Sequence, residues 1–386
     1  MTSTYAAISG TSRAYRWLVG VLAAIVLAGL VGFVVRYHLG EQTFSTSNAV
    51  PWTVREVMFI YFIGLSAGSL VLSGMSYILG WEHYRSIARL AVFLAILLLM
   101  GAMVSNLLHL GRPEKVWRLF TFQNLYSMFT LNSILYAAYL ALSVLYLGLI
   151  LAENTPWTRW IGLMAVAWAI LVHGGTGAIF GFIEARTLWF SSLRPLEFIM
   201  AALASGVALL MLVLKGSMHF SHRELPPSLL QSLARLMGAF LWGLLFLIVT
   251  DKLTHVYAPG GEDMRYYLFG PYSWLFWGVQ IVLGAFVPLA LIYHPATASN
   301  QRWLLAAATL VVVGIFAERY YLVVPGLAYP LQYASGTVEG IYGAITALWT
   351  TPLEVITALG VFAFMGLLYI LGLKYLELLP LGEKGA

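Results

Sequence analysis

The chain has 386 residues, of which 61% are apolar and only 10% are charged. Soluble domains carry about 25% charged residues, so this composition excludes an ordinary soluble globular protein. The sequence contains no cysteine, which excludes iron–sulfur clusters on its own thiolates, covalently attached haem and thiol redox chemistry. Its net charge of +5 is modest, and a Lys/Arg excess in a membrane protein reflects topology, so we expect no nucleic acid partner.

Ten apolar runs are long enough to cross the hydrocarbon core of a membrane, which takes about 20 residues. In chain order they cover residues 17–35, 57–79, 88–110, 131–151, 160–183, 196–214, 233–250, 272–293, 303–324 and 353–373. The first run is too long for a signal peptide and lacks a small-residue cleavage motif, which predicts an uncleaved helix. The sequence therefore predicts an all-α polytopic membrane protein of about ten spanning helices, with residues 1–386 in one membrane domain.

The connections on one side of the predicted membrane domain are the more elaborate ones. Long, aromatic and polar connections follow the odd-numbered spans, at 111–130, 184–195, 251–271 and 325–352, whereas most others are short. We call this side the elaborated face and expect chemistry or a partner there. Lys and Arg are divided almost evenly between the two sides, so they favour a cytoplasmic N terminus, and a periplasmic elaborated face, only slightly.

The ten spans also suggest an internal organisation. Spans 2–5, at about 55–183, and spans 6–9, at about 195–325, are predicted to form two successive four-helix bundles. Spans 1 and 10 then flank the two bundles as peripheral helices.

Ionisable groups inside spans are costly and are functional hypotheses by default. Near the end of the third span, Ser105, His109 and Arg112 follow an i, i+4, i+7 spacing, which predicts a shared helix face. Asn106 adds an amide beside them. An imidazole next to a fixed cation could bind and deprotonate a polar head group, whereas the structural alternative is an interfacial histidine and a snorkelling arginine.

Other polar side chains cluster in and before the second and fourth spans. Tyr61 and Ser66 lie in the second span, and Asn124, Tyr126 and Asn132 lie at the entry to the fourth. Amides and hydroxyls there can bind a carbonyl-bearing ligand. They can equally cap a helix or pack between helices.

A second set of residues suggests proton transfer. His173 lies near the middle of the fifth span, and Glu184 follows eleven residues later, which predicts a common stripe along the helix. Asp251 and His255 are i, i+4 neighbours near the end of the seventh span, and Glu318 precedes Arg319 in the ninth. Helix packing through glycine and structural ion pairs are the alternatives.

This combination of groups fits a quinone site in a helix bundle. A quinone has two carbonyls that need donors, and quinol oxidation releases two protons to acceptors such as His or Glu. The two electrons need a redox centre. A b-type haem on His109 and His255 is conceivable. The favoured arrangement is a partner subunit that brings iron–sulfur clusters to the elaborated face.

Several segments carry a resemblance to a known family. They are residues 62–73 (FIGLSAGSLVLS), 106–118 (NLLHLGRPEKVWR), 173–180 (HGGTGAIF), 251–257 and 318–319. Together they resemble the NrfD/PsrC family of polysulfide reductase-like membrane subunits. The ten-span length most resembles the long branch, with HybB-type hydrogenase subunits, DsrP-type subunits and the membrane subunits of alternative complex III.

The resemblance implies a haem-free subunit that binds menaquinone or ubiquinone near the periplasmic face of the inner membrane. The implied partners are a ferredoxin-like iron–sulfur subunit and a catalytic subunit of the molybdopterin, hydrogenase or sulfur-redox type. Family members often have an acidic residue at or next to the position of His109. That departure leaves open whether His109 accepts a proton or only binds the head group.

Carried onto this sequence, the resemblance and the polar pattern give two sets of candidate residues. The quinone-binding candidates are Tyr61, Ser66, Asn106, His109, Arg112, Asn124, Tyr126 and Asn132, and the proton-transfer candidates are His173, Glu184, Asp251, His255 and Glu318. The alternative functions are a secondary transporter or ion channel, and a b-haem membrane anchor. No metal site is expected.

Overall fold

The computed structural model describes residues 5–44, 46, 50–257, 262–329 and 350–381. Within these residues, ten helices are long and apolar enough to cross a membrane. They coincide with the ten predicted spans, which confirms the all-α polytopic class. We number these spanning helices α1 to α10.

The spanning helices have the following bounds. They are α1 Arg13–Leu39, α2 Val54–Ile78, α3 Ala88–His109, α4 Met128–Leu151, α5 Thr155–Gly181, α6 Arg194–Phe220, α7 Pro227–Tyr257, α8 Leu275–Tyr293, α9 Gln301–Ala328 and α10 Pro352–Tyr375. Short helices are Glu41–Phe44, Glu82–Arg85, Pro113–Lys115, Arg118–Thr121 and Glu262–Phe269. Two-residue strands at Tyr5–Ala6 and Leu379–Pro380 pair antiparallel.

Polar side chains fix where several spanning helices begin. Ser12, Asn154, Asn300 and Thr351 each accept a hydrogen bond from a backbone N–H in the first turn of α1, α5, α9 and α10. Such caps satisfy N–H groups that have no partner within the helix. At α2, Thr53 and Glu56 form a capping box, so the helix begins three residues before the predicted apolar run.

The most buried element is α2, which contacts α3, α5, α6, α9 and α10. Of its most apolar 18-residue window, 89% is buried. Gly68 permits this central position, because a Cβ there would lie 2.8 Å from the Cα of Gly206 and 2.7 Å from the carbonyl oxygen of Leu203. The small residues of α2 therefore serve close packing against α6.

The first and last spanning helices form a pair at the side of the molecule. α1 contacts α10, and α10 also contacts α3 and α2. Gly29 of α1 and Gly360 of α10 face each other at a close backbone approach. Only 11% of the apolar window of α1 and 28% of that of α10 is buried, so this pair lies at the periphery of the bundle. We call α1 and α10 the flanking pair.

The remaining helix contacts are mostly between neighbours in sequence. α2 to α5 contact one another through α2–α3, α3–α4, α4–α5 and α2–α5, and α6 to α9 through α6–α7, α7–α8, α8–α9 and α6–α9. α2 also packs against α6 and α9, and α5 packs against α6, so one continuous core joins the helices.

The elaborated face is the end of the bundle at which α1, α3, α5, α7 and α9 end. In the predicted connection 251–271, α7 continues to Tyr257 and a further helix covers Glu262–Phe269, while residues 258–261 lie outside the described residues. Most of the predicted connection 325–352 also lies outside them, because the description stops at 329 and resumes at 350. The polar groups described at this face therefore come mainly from the helix ends themselves.

Candidate functional site

Two groups of polar and ionisable side chains lie mostly buried at the elaborated face. The first, which we call the His109 cluster, consists of Arg36, Glu41, Thr53, Arg55, Glu56, His109 and Glu354. The second, the Arg194 cluster, consists of Ser191, Arg194, Glu197, Asp251, Lys252, Glu318 and Arg319. Because such groups are costly to bury in a membrane protein, both clusters are candidates for function.

The centre of the His109 cluster is a contact between an imidazole and a carboxylate. Nδ1 of His109, at the end of α3, lies against Oε1 of Glu56, in the first turn of α2. Oε2 of Glu56 accepts a hydrogen bond of 2.9 Å from the backbone N–H of Thr53. The His109 side chain keeps 22% of its surface exposed and that of Glu56 keeps 10%. Such a pair can take up one proton from a bound ligand and hold it at the edge of the core.

Two arginines hold the end of α3 that carries His109. Arg36 of α1 donates hydrogen bonds to the carbonyl oxygens of Leu108 at 3.0 Å, His109 at 2.9 Å and Leu110 at 3.1 Å. Arg55 of α2 donates a further bond of 2.8 Å to the carbonyl of Leu108. These carbonyls end a helix and lack intrahelical partners, so cationic donors stabilise them. The backbone that positions the imidazole is thus fixed from two other helices.

Two further carboxylates complete the His109 cluster. Glu41 forms an ion pair with Arg36 and lies 3.4 Å from Arg55. Glu354, in the first turn of α10, is fully buried and accepts a hydrogen bond from the Thr53 hydroxyl. Thr53 therefore joins the starts of α2 and α10, because its backbone N–H and its hydroxyl bind carboxylates of both helices.

The structure corrects the prediction that Arg112 shares a helix face with Ser105 and His109. α3 ends at His109, and Leu110 adopts an extended conformation with ψ of 128°. Arg112 therefore lies beyond the helix, exposed, just before the short helix Pro113–Lys115. Ser105 remains buried within α3. The cations next to the end of α3 are instead Arg36 of α1 and Arg55 of α2.

Three predicted quinone ligands are buried and use their polar atoms between or within helices. The hydroxyl of Tyr61 donates to a backbone carbonyl of α9 at 3.0 Å, and that of Ser66 to a carbonyl of its own helix at 2.7 Å. Nδ2 of Asn132 donates to carbonyls of α4 at 2.8 Å and α5 at 3.0 Å. Its Oδ1 is buried without a hydrogen-bond partner among the described residues.

The other three predicted quinone ligands differ in exposure. Asn106 is partly buried in α3, one turn before the end of the helix. Asn124 and Tyr126 lie in an exposed turn, where Oδ1 of Asn124 accepts a hydrogen bond from the backbone N–H of Tyr126. The Tyr126 side chain is fully exposed. The structure thus leaves these two residues outside the buried His109 cluster.

The Arg194 cluster is built around two cations and two carboxylates at the start of α6 and near the end of α7. Nη1 of Arg194 lies 2.5 Å from Oε2 of Glu197, and its Nη2 lies 3.5 Å from Oδ2 of Asp251. Nζ of Lys252 lies 2.7 Å from the same Asp251 oxygen, and the Ser191 hydroxyl donates to its Oδ1. The carboxylate of Asp251 is therefore fully engaged, as its low exposure of 1% requires.

A second ion pair and a small cavity complete the Arg194 cluster. Nη1 of Arg319 lies 3.0 Å from Oε1 of Glu318, and the guanidinium stacks 3.7 Å above the ring of Phe198. The cavity is lined by polar groups from α6, α7, α8 and α9, including Gln280, and by Tyr267. Burial raises the pKa of the Tyr267 phenol, so this group stays neutral.

The backbone of α8 is unusual next to this cavity. Residues Leu275–Phe286 form a π-helix, a rare form that is frequent at functional sites. Gln280 lies within it, and its Oε1 is buried without a hydrogen-bond partner among the described residues. Oε1 of Glu197 and Oε2 of Glu318 are also buried without a hydrogen-bond partner among the described residues. Three buried acceptors around one polar cavity make a site suited to ordered water or a transferred proton.

The remaining proton-transfer candidates, His173, Glu184 and His255, do not lie together in the structure. His173 is buried in α5, with Nδ1 at 2.6 Å from a carbonyl of α5 and Nε2 at 2.7 Å from the carbonyl of Ile63 in α2. Glu184 does not continue its stripe, because α5 ends at Gly181 and Glu184 lies exposed beyond it. The predicted helical alignment of His173 with Glu184 is wrong for this reason. His255 lies beside Asp251, 3.5 Å from its Oδ1, and both ring nitrogens contact backbone carbonyls.

Several central residues of both clusters were not singled out from the sequence. They are Arg36, Glu41, Arg55, Glu56, Arg194, Glu197 and Glu354. A signal for two of them was present, because Thr53 and Glu56 have the spacing of a capping box and predict a helix that includes Arg55. Glu354 stood inside a predicted span, where any carboxylate is a functional hypothesis. Their convergence, however, depends on contacts between helices that are distant in sequence.

These observations define a polytopic helical membrane protein in which two mostly buried clusters of ionisable groups lie at one face. Residues 42–330 match the family described as polysulphide reductase, NrfD. The chain belongs to this family, which confirms the resemblance carried by its short motifs.

Curated relatives cover much of the chain. An "Hdr-like menaquinol oxidoreductase integral membrane subunit" of Archaeoglobus fulgidus is 31% identical over 98% of this chain and 98% of its own length. A selenate reductase subunit of Mesobacillus selenatarsenatis is 28% identical over 80% of this chain and 82% of its own. A "Menaquinone reductase, integral membrane subunit" of Nitratidesulfovibrio vulgaris is 26% identical over 70% of this chain and 71% of its own.

Proposed function

We propose that this chain is the quinone-interacting integral membrane subunit of a respiratory oxidoreductase complex. It exchanges electrons between membrane quinone and an iron–sulfur partner subunit. The observation that carries the proposal is the contact between His109 and Glu56, a proton acceptor at the elaborated face of an NrfD-family protein. The names of the relatives, two of which specify menaquinol or menaquinone, favour menaquinone over ubiquinone as the substrate.

The quinone site is proposed in the bundle of α2 to α5, at the end of α3. The quinol hydroxyl is deprotonated by the His109–Glu56 pair, and Asn106 and Arg112 are the nearest predicted donors along the chain for the head group. Tyr61, Ser66 and Asn132 shape the interior, with the Oδ1 of Asn132 as a free acceptor in the described part of the chain. Asn124 and Tyr126 act only if a bound partner or lipid covers their exposed turn.

The proposed reaction balances as follows. One quinol gives one quinone, two protons and two electrons; the first proton passes to the His109–Glu56 pair, and the second is released to water at the partly exposed edge of His109. The electrons leave to a redox centre held by another subunit, because the chain has no cysteine to bind an iron–sulfur cluster. We propose a ferredoxin-like partner docked on the elaborated face, itself bound to a catalytic subunit.

The same geometry supports a haem-free subunit. The haem alternative needs an available imidazole nitrogen on both His109 and His255. Both ring nitrogens of His255 instead lie 2.8 Å from backbone carbonyl oxygens. A second feature argues against the transporter alternative, since both ionisable clusters lie at one face, whereas transporter sites lie near the midplane.

Proton movement and membrane orientation complete the proposal. The bundle of α6 to α9 carries the Arg194 cluster, with Asp251, His255 and Glu318 as proton-transfer residues, and His173 is a further one inside the bundle of α2 to α5. Glu184 lies exposed beyond the end of α5, so it takes part in proton transfer only at the protein surface. The chain is proposed to lie in the inner membrane with its elaborated face toward the periplasm.

The proposed function is tested by replacing His109 with Gln in the assembled complex. H109Q should lower kcat/KM for a short-chain menaquinol analogue by about a hundredfold, since general-base groups contribute that much or more. His38→Gln is the matched control, because His38 is an exposed histidine at the same face. Quinol kinetics of H109Q equal to those of H38Q, with both complexes fully assembled, would contradict the proposal.

A further inference from the structure

We infer that the flanking pair completes the proton-accepting site, and that Glu354 of α10 sets the proton affinity of the His109–Glu56 pair. The inference rests on the proposed function and extends it to a helix predicted to be peripheral. Glu354 is a positioning and tuning residue in this scheme, since it acts on the acceptor through its charge.

Glu354 is held where the starts of α2 and α10 meet. Its side chain is fully buried, although only 28% of the apolar window of α10 is buried. The Thr53 hydroxyl donates to Oε1 of Glu354, while the Thr53 backbone N–H donates to Oε2 of Glu56 at 2.9 Å. Two carboxylates from helices that are distant in sequence thus accept hydrogen bonds from the same residue, Thr53. Oε2 of Glu354 is buried without a hydrogen-bond partner among the described residues.

A capping role alone does not account for this arrangement. An acidic residue in the first turn stabilises a helix, and it does so equally well at an exposed position. The start of α10 already has a cap, since Thr351 accepts a hydrogen bond from the Glu354 backbone N–H. Burying a carboxylate costs free energy unless nearby charges stabilise it, so the position of Glu354 implies an electrostatic role toward its neighbours.

The charges of the cluster support the same role. With their carboxyl groups ionised, Glu41, Glu56 and Glu354 supply three negative charges, and Arg36 and Arg55 supply two positive ones. With a neutral imidazole the cluster then carries one excess negative charge. Protonation of His109 balances it, so the cluster is arranged to hold one additional proton. Without Glu354 the cluster would already be neutral before that proton arrived.

Other titratable groups around the pair leave this count unchanged. Tyr320 of α9 is a phenol and adds no charge to the cluster. At the rim, the Tyr37 hydroxyl of α1 lies 3.5 Å from Oε2 of the exposed Glu114, which solvent screens. Arg112 is exposed as well.

The test is the pH dependence of quinol oxidation by the assembled complex carrying Glu354→Gln. At low pH the acceptor is already protonated, so activity falls below a midpoint that reports its proton affinity. Removing one negative charge weakens proton binding, so E354Q should move this midpoint to lower pH by on the order of one unit. E354D keeps the charge and should keep the wild-type midpoint. The matched control is Glu82→Gln, which removes an exposed charge at the opposite face.

A second variant weakens the charge of Glu354 without removing its carboxyl group. Thr53→Val removes the hydroxyl that donates to Glu354 but keeps the backbone N–H that binds Glu56. Glu354 then takes up a proton of its own more readily and loses its negative charge, so the midpoint of the His109–Glu56 pair should move to lower pH, as in E354Q. T53V also tests the inference if E354Q fails to assemble.

The outcomes separate the two proposals. If H109Q slows quinol oxidation but the midpoints of E354Q and T53V coincide with that of E82Q, the role of Glu354 is overturned and the proposed quinone site stands. Quinol kinetics unaffected by H109Q would instead overturn the proposed site.

Discussion

At the scale of single residues, the chemistry depends on how the ends of helices are held. His109 is the last residue of α3, where the backbone carbonyls have no partners within the helix. Arg36 of another helix donates hydrogen bonds to three carbonyls at this helix end, and it is only 2% exposed. The orientation of the imidazole toward Glu56 is therefore set by an arginine that touches only backbone at the end of α3.

This arrangement makes Arg36 a testable positioning residue. Arg36→Lys keeps the positive charge, but its single nitrogen cannot reproduce the bonds that two guanidinium nitrogens make to three carbonyls. We expect R36K to lower kcat/KM for quinol about tenfold while leaving the complex assembled. Arg16→Lys, at an exposed position on the same helix, is the control. In an H109Q background the effect of R36K should disappear, and fully additive losses would show that Arg36 acts elsewhere.

At the scale of elements, close helix approach decides where the ionisable groups can meet. α2 lies at the centre because Gly68 and Gly206 let its backbone approach that of α6. The same helix begins with Arg55 and Glu56, so its position at the centre brings them to α3 and α10. Packing in the membrane interior and chemistry at the face are thus linked through one helix.

A single methyl group should disturb this packing. A Cβ on Gly68 would lie within 3 Å of backbone atoms of α6, so Gly68→Ala should destabilise the protein by about 1–3 kcal/mol. The matched control is Gly148→Ala on α4, where a Cβ meets nothing within 4 Å. We expect the thermal unfolding midpoint in detergent to fall by several degrees for G68A and to stay equal or rise for G148A. Equal midpoints for the two variants would argue against a close α2–α6 contact.

At the scale of the whole molecule, two ionisable clusters lie at the same face but belong to different groups of helices. The His109 cluster joins α1, α2, α3 and α10, whereas the Arg194 cluster joins α6, α7 and α9. Within the bundle of α2 to α5, His173 of α5 bonds to the backbone of α2, whereas the Tyr61 hydroxyl of α2 donates to the backbone of α9 in the other bundle. This division is consistent with separate sites for quinone chemistry and for proton transfer.

The division predicts that the two activities can be separated by mutation. Glu318→Gln should reduce the number of protons moved per electron in proteoliposomes, while quinol oxidation by the complex continues at more than half its rate. Gln280→Leu keeps every charge of the Arg194 cluster and removes a polar group from its cavity, so it should act in the same direction. A normal proton-to-electron ratio in both variants would remove this cluster from the proposed proton route.

The sequence by itself determined the class of protein, the ten spans, the family and the absence of thiol ligands. These follow from composition, from apolar runs of sufficient length and from short motifs, all of which are local properties of the chain. It also located His109, because an ionisable group at the end of an apolar run stands out without any knowledge of its neighbours.

Only the tertiary structure decided which charges meet. Arg36, Glu56 and Glu354 are far apart in sequence, and they converge because helices α1, α2 and α10 end or begin at one face. The structure also decided where α3 and α5 stop, which removed Arg112 and Glu184 from their predicted helix faces. The physical reason is that a periodic pattern gives the direction of a side chain only within a helix, whereas partners across helices depend on packing.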